Sequence, residues 1–130
     1  MIRIANTQFW VHDQEEALAF YTRTLGWEVR ADVTVEDWSF RWLTVGPVGQ
    51  DDVGLVLMPV PGPPMLDAAS SAQLAELVAK GAGGTLFLET DDCQVAYDEL
   101  SARGVVFNDP PTPQPYGIDT SFRDPSGNNI

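Results

Sequence analysis

The chain repeats itself, and that repetition limits its possible folds more than any other feature. Asp13 stands where a helix N-cap would, Glu16 three residues later completes a capping box, and a helix is predicted from Gln14 to Leu25, closed by Gly26. Asp92 caps a second helix carrying Val95, Ala96, Tyr97 and Leu100, closed by Gly104. Ala17 and Ala96 each fall four residues after their cap, and the closing glycines follow 13 and 12 residues after it. A strand precedes each helix and strands follow it, so each half reads β-α-β-β-β. Half of a 130-residue chain is too short to bury a core alone, which predicts two modules sharing one sheet.

Ile2 to Val11 alternates, with Thr7, Phe9 and Val11 on one face and Asn6, Gln8 and Trp10 on the other. After the first helix, strands are predicted over Trp27 to Val35, Trp38 to Val45 and Val53 to Pro59. The prolines of "PVPGPPM" lack backbone donors and fix φ, so Pro59 to Met65 reads as a linker, followed by a short helix from Asp67 to Lys80 that "KGAGG" ends. Strands are then expected over Thr85 to Thr90, Val105 to Asn108, Tyr116 to Arg123 and from Asn128 onward. Module one thus covers about 1–60, linker and short helix about 61–83, and module two about 84–130.

Composition removes several classes of function. With 19 acids against 7 bases, the formal charge of −12 argues against a phosphate backbone as partner, since that binding rests on clustered Lys and Arg. Cys93 is the only cysteine, which excludes an internal disulfide and a thiolate cluster. No stretch approaches the ~20 apolar residues of a membrane span, and "MIRIANTQFW" enters a strand without a basic region and apolar run, so a cytoplasmic location is expected. His12, the only histidine, lies in the turn beside the first cap, where an exposed loop imidazole is expected and no Ser-His-acid arrangement is in view. "GAGG" follows a helix rather than opening one, so it is not a phosphate loop.

Three segments, "VHDQEEALAFYTRTLGWEV", "DDCQVAYDELSARGVVF" and "YGIDTSFRDPSGNNI", together resemble the vicinal oxygen chelate superfamily of glyoxalases, bleomycin resistance proteins and extradiol dioxygenases. The resemblance implies an α+β fold of paired βαβββ modules forming a curved, incompletely closed eight-stranded sheet around a cavity, and commonly a homodimer. Metal-dependent members hold a divalent ion through side chains at matching positions of the two modules. Carried over, those positions are Asn6, Thr85 and Val56, with Met58 as the alternative to Val56. The fourth would follow "DPSGNNI", on a strand expected to continue past Ile130. Val56 and Met58 cannot bind a divalent ion and Thr85 is a weak ligand, so no metal and no other cofactor is expected.

With the cavity as frame, the two-residue strand period points Asn6, Gln8 and Trp10 inward from one module and Thr85, Phe87 and Glu89 from the other. Trp38, Phe40 and Trp42 share one face of the third strand and Ser39, Arg41 and Leu43 the other; either face can look in. The resemblance adds Trp10 and Tyr116 as positions that face substrate. Aromatic walls with few polar groups suit a flat or amphipathic small molecule, which makes Asn6, Gln8, Trp10, Trp42, Thr85, Phe87 and Tyr116 the candidate ligand-binding set. Glu89 on such a wall needs a partner, and Arg41 is the expected one; unpaired, Glu89 is a candidate proton-transfer group. Two functions follow. One is a metal-free binding protein, in its best-defined version sequestering a toxic organic compound. The other is a lyase, isomerase or dioxygenase using Asn6 and Gln8 with Glu89 around an atypical metal, or Glu89 as a base.

Overall fold

Each of the three α-helices begins on an aspartate side chain. Asp13, Asp67 and Asp92 accept the backbone N–H groups of Glu16 (3.0 Å), Ser70 (2.9 Å) and Val95 (3.0 Å), satisfying donors that a helix start leaves without partners. The computed structural model describes residues 1–130. In it these helices are α1 (Gln14–Ala19), α2 (Ala68–Ala79) and α3 (Cys93–Ala102). The first is shorter than its pattern predicts. Phe20–Thr24 widens into a π-helical turn, in which Leu25 N–H reaches back to Phe20 O at 3.0 Å. The Thr22 hydroxyl takes the Leu18 carbonyl at 2.7 Å, and such local bonding competes with the regular ladder.

Six strands form: β1 (Asn6–Val11), β2 (Glu28–Val35), β3 (Phe40–Gly46), β4 (Gly54–Pro59), β5 (Phe107–Gln114) and β6 (Gly117–Phe122). The first four make a mixed sheet in the order β1-β4-β3-β2, with β1 parallel to β4 and the other pairs antiparallel. One face carries the core. Phe9, Val11, Leu43, Val45, Leu55 and Leu57 close over Ala17 and Tyr21, each side chain at most 4% exposed. At ~25 cal/mol per Å² of apolar surface removed from water, that burial is the main stabilising term of this half.

The second half departs from the expected eight-stranded sheet. β5 and β6 form a separate two-stranded sheet. Thr85 to Thr90, expected as a strand, has no ladder beyond one bridge, Thr85 to Asn129, and the bond from Leu86 N–H to Asn129 O (2.9 Å). Ile130 pairs with Phe122 of β6 in both directions, at 3.0 and 2.9 Å. A strand exists only where a neighbour supplies its hydrogen bonds, and past Leu86 nothing does. The short strand expected at Val105 to Asn108 instead starts at Phe107 and runs to Gln114, with Pro110 and Pro111 at a shift in the β5–β6 register.

The two halves are joined by the turn "RDPSGN". Asp124 Oδ1 accepts the backbone N–H groups of Ser126, Gly127 and Asn128 at 2.9 to 3.0 Å. Its Oδ2 accepts the Tyr21 hydroxyl at 2.8 Å and the Asn128 amide at 3.0 Å. Asn128 also donates to Trp10 O, and Ser126 Oγ accepts His12 N–H. Burial, and then the neighbouring Asp124 carboxylate, push the Tyr21 hydroxyl far above its ordinary pKa of 10.0. At Gly127 φ is +108°, and a Cβ would fall 2.3 Å from Val78 O, so only glycine fits.

Candidate functional site

The face of the first sheet turned away from α1 is ordered by register. β1 and β4 set Asn6 beside Gly54, Gln8 beside Val56 and Trp10 beside Met58. β3 and β4 set Thr44 beside Val56; beyond that pair the Gln14 amide of α1 bridges the two strands, donating to Arg41 O at 3.1 Å and Leu57 O at 2.9 Å, and Trp42 and Met58 follow on this face. β2 adds Ala31 beside Thr44 and Val33 beside Trp42. Two rows result: Gln8, Val56, Thr44 and Ala31, then Trp10, Met58, Trp42 and Val33. Polar character gathers toward Asn6, and aromatic and thioether groups toward the other end.

Two adjacent glycines explain the polar end. A Cβ on Gly54 would meet Asn6 Oδ1 at 2.5 Å, and one on Gly46 would meet the Arg30 guanidinium at 2.7 Å. The Asn6 amide and the Arg30 guanidinium therefore lie on the space those glycines leave. Arg30 is held in place, its Nη2 donating to Pro47 O (2.7 Å) and Gln50 O, with Nε 3.1 Å from Glu28 Oε1. Thr44 is 3% exposed, yet its hydroxyl has no hydrogen-bond partner within the chain and is not sealed from the surface.

The sequence left two faces of the third strand open, and the structure separates them. Leu43 points into the core, so Trp42 shares its face with Thr44, while Trp38 leaves the strand for a 3-10 turn (Glu36–Trp38) and is 76% exposed. Left-handed Ser39, at φ +49°, divides that turn from β3. Trp10 and Trp42 are half-buried, and Asn6 and Gln8 are exposed on the same face. Thr85, Phe87 and Glu89 are exposed on the unladdered segment, Phe87 at 90%. Tyr116 is at the β5–β6 turn, where its hydroxyl donates to Asp119 Oδ2.

Arg41 is not the partner of Glu89. Its guanidinium grips Asp32 in bidentate fashion, both contacts 2.8 Å, and donates to Glu15 at 2.5 Å, on the α1 side of the sheet. The hydrogen bonds from Arg41 hold the Asp32 carboxyl below the usual carboxylate range. Glu89 is exposed and takes part in no ion pair. His12 is exposed, as its loop position suggests, but Nε2–H donates to Ala75 O of α2 at 2.8 Å, at the rim of a cleft of about 670 Å³ shared with Val60, Pro63 and Glu76.

The residues at the family's metal positions do not fit a divalent cation. Val56 is 4% exposed hydrocarbon in mid-sheet, Met58 beside it is a thioether, and Asn6 rests on Gly54. Sequence reasoning overlooked Thr44 and the glycine pair Gly46 and Gly54. The alternation of "FRWLTVG" places Thr44 with Trp42, and "GLVLMP" places Met58 with Val56, so the signal is present once one face is assigned.

Solved structures resemble the chain throughout its length. UcmS2 superposes with a TM-score of 0.87 at 40% identity, covering 99% of this chain and 95% of that one. TnmS3, described as an antibiotic binding protein from Streptomyces sp. CB03234, gives 0.76 at 33% identity, covering 100% and 93%. The Bacillus subtilis (strain 168) protein YurT, itself uncharacterized, is 34% identical over 99% of this chain and 96% of its own. The sequence model of the Glyoxalase/Bleomycin resistance protein/Dioxygenase superfamily matches residues 3–130, and the chain belongs to that superfamily.

Proposed function

We propose that this protein binds a small organic molecule on the Asn6-to-Trp42 face of the first sheet, without a metal, and protects the cell by sequestering a toxic compound. The observation that carries the reading is the group of Trp10, Met58 and Trp42: two half-buried indoles and a thioether share one sheet face, with no charged side chain among them. Indole faces and a polarizable sulfur suit a flat apolar ligand and leave little for an ionic one. TnmS3, called an antibiotic binding protein, is similar over the whole chain, which supports an antibiotic as the compound.

In this reading the two halves are paired βαβββ modules and the ligand cavity lies on the face described. Support comes from hydrogen bonds that repeat one order: segment 85–86 pairs with Asn129, Ile130 with β6, and β6 with β5, as β1 pairs with β4, β4 with β3, and β3 with β2. Phe87, Val106 and Ile118, at 90%, 86% and 61% exposed, are the surface that a second copy would cover in a homodimer. We place the protein in the cytoplasm; no helix is long and apolar enough to cross a membrane.

The test is protection. Cells expressing the chain should survive concentrations of a flat aromatic antibiotic that kill control cells, the antibiotic should be recovered chemically unchanged from the purified protein, and W10A/W42A should remove both effects. Conversion of the compound would establish an enzyme instead, and loss of conversion in Glu89→Gln would then place that carboxylate in the reaction. Near-stoichiometric divalent metal in protein purified without chelators would overturn the metal-free part.

A further inference from the structure

We infer that the ligand is oriented, with an uncharged hydrogen-bonding group seated against Asn6, Gln8 and Thr44 and a flat apolar ring system lying across Trp10, Met58 and Trp42. This rests on the binding site proposed above and specifies the class of molecule that it takes.

The first observation is Thr44. A hydroxyl that reaches the surface without a partner in the chain is free to bond a ligand, exchanging a bond to water for one to the ligand. Thr44 is such a residue: it is 3% exposed, its hydroxyl is not sealed from the surface, and it forms no hydrogen bond within the chain. Nothing about the packing demands a hydroxyl there, since Val56 fills the adjacent position of the same row with hydrocarbon. The second observation is that Asn6 and Gln8, neighbours on the same face, likewise form no side-chain hydrogen bonds within the chain. Two amides and a hydroxyl offer donors and acceptors together, which suits a carbonyl, hydroxyl or carboxamide.

The third is spacing. Successive residues on one strand face are ~6.6 Å apart and neighbouring strands ~4.8 Å, so the backbones of Trp10 and Trp42, on strands with β4 between them, stand at least about 10 Å apart, one step along from the polar groups. A fused-ring molecule bridges that width with one end over the polar row. Charge selects further. Arg30, whose guanidinium lies over Gly46, is already engaged by Glu28 at 3.1 Å and by two backbone carbonyls, and the chain carries −12, so an anionic head gains little counter-charge.

A matched set of probes with one ring system and different heads tests this on the full chain: methylpyrene, pyrenecarboxamide and pyrenesulfonate, each titrated by quenching of tryptophan fluorescence. Pyrenecarboxamide should bind about tenfold more tightly than methylpyrene, the worth of one to two hydrogen bonds, and more tightly than pyrenesulfonate. Q8L/T44V, an exposed change paired with a near-isosteric one, should erase the difference between carboxamide and methylpyrene, with circular dichroism verifying the fold. Equal binding of all three probes, tightest binding by the sulfonate, or a preference that survives Q8L/T44V overturns the orientation while leaving a binding site in place. Absence of binding by every probe overturns the orientation and the binding site together.

Discussion

The first half of the molecule holds itself together and the second half is held. In residues 6–59 four strands are laddered, and eight side chains form a core in which none is more than 4% exposed. In the second half Phe122, at 6%, is the one large hydrophobic residue that is buried, while Phe87, Leu88, Val106 and Ile118 are half or more exposed. What fixes the second half to the first is both polar and apolar: Tyr21 donates to Asp124, His12 N–H to Ser126 and Asn128 to Trp10 O, while Leu86 and Ile130 pack against the first-half core and Phe20 meets Phe122 at 6.2 Å between ring centroids. Repeated sequence therefore does not mean repeated energetics. One copy is stabilised by an apolar core of its own, the other by a turn bonded to Asp124 and by docking Leu86 and Ile130 on that core.

Replacing the carboxylate breaks the comparison most sharply. Asp124→Ala strands five donors, four of them on or beside the buried turn, and should cost about 4 kcal/mol. All four tryptophans, Trp10, Trp27, Trp38 and Trp42, lie in the first half. In this variant, fluorescence-detected melting should therefore lag behind melting followed by far-ultraviolet circular dichroism; coincident curves would show that the halves cannot separate. Leu57→Ala, at 0% exposure in the first-half core, should cost about 3 kcal/mol with both signals falling together.

Tyr21→Phe removes one bond to Asp124 and should cost about 2 kcal/mol, measured by urea denaturation. It also carries a pH signature. The folded hydroxyl titrates far above its unfolded value, so its contribution is complete below the ordinary 10.0 and is lost as the pH rises beyond it. Wild-type stability should thus decline above about pH 10 more steeply than that of the Phe variant. Arg41→Ala, which breaks an ion cluster with partners 38% and 74% exposed, should cost under about 1 kcal/mol and less in high salt. Ile118→Ser should change the stability of the isolated chain by no more than about 0.5 kcal/mol, and a shift from dimer to monomer in sedimentation would mark that face as the contact between copies.

What the sequence made legible was local. Asp13 and Asp92 cap helices because the acceptor lies three residues from its donor, and Phe9 and Val11 face the core because strand alternation leaves no other arrangement. What it hid depended on distant neighbours. The side taken by Trp42 is settled by Leu43 entering a core built from three other elements, and Arg41 finds Asp32 only through the β2–β3 register. Thr85 to Thr90 has the composition of a strand, but composition does not supply a partner.

The latch also has a consequence in time. Its bonds join residues 103, 114 and 118 positions apart, so the β1 and Tyr21 side waits for that length of chain to be synthesised before Asp124, Ser126 and Asn128 arrive. Contacts of that span close late, after local structure has formed. During that interval the aromatic row of Trp10, Met58 and Trp42 is presented by a sheet that already has its own core, which makes the nascent first half the stage at which the growing chain most needs shielding from its neighbours.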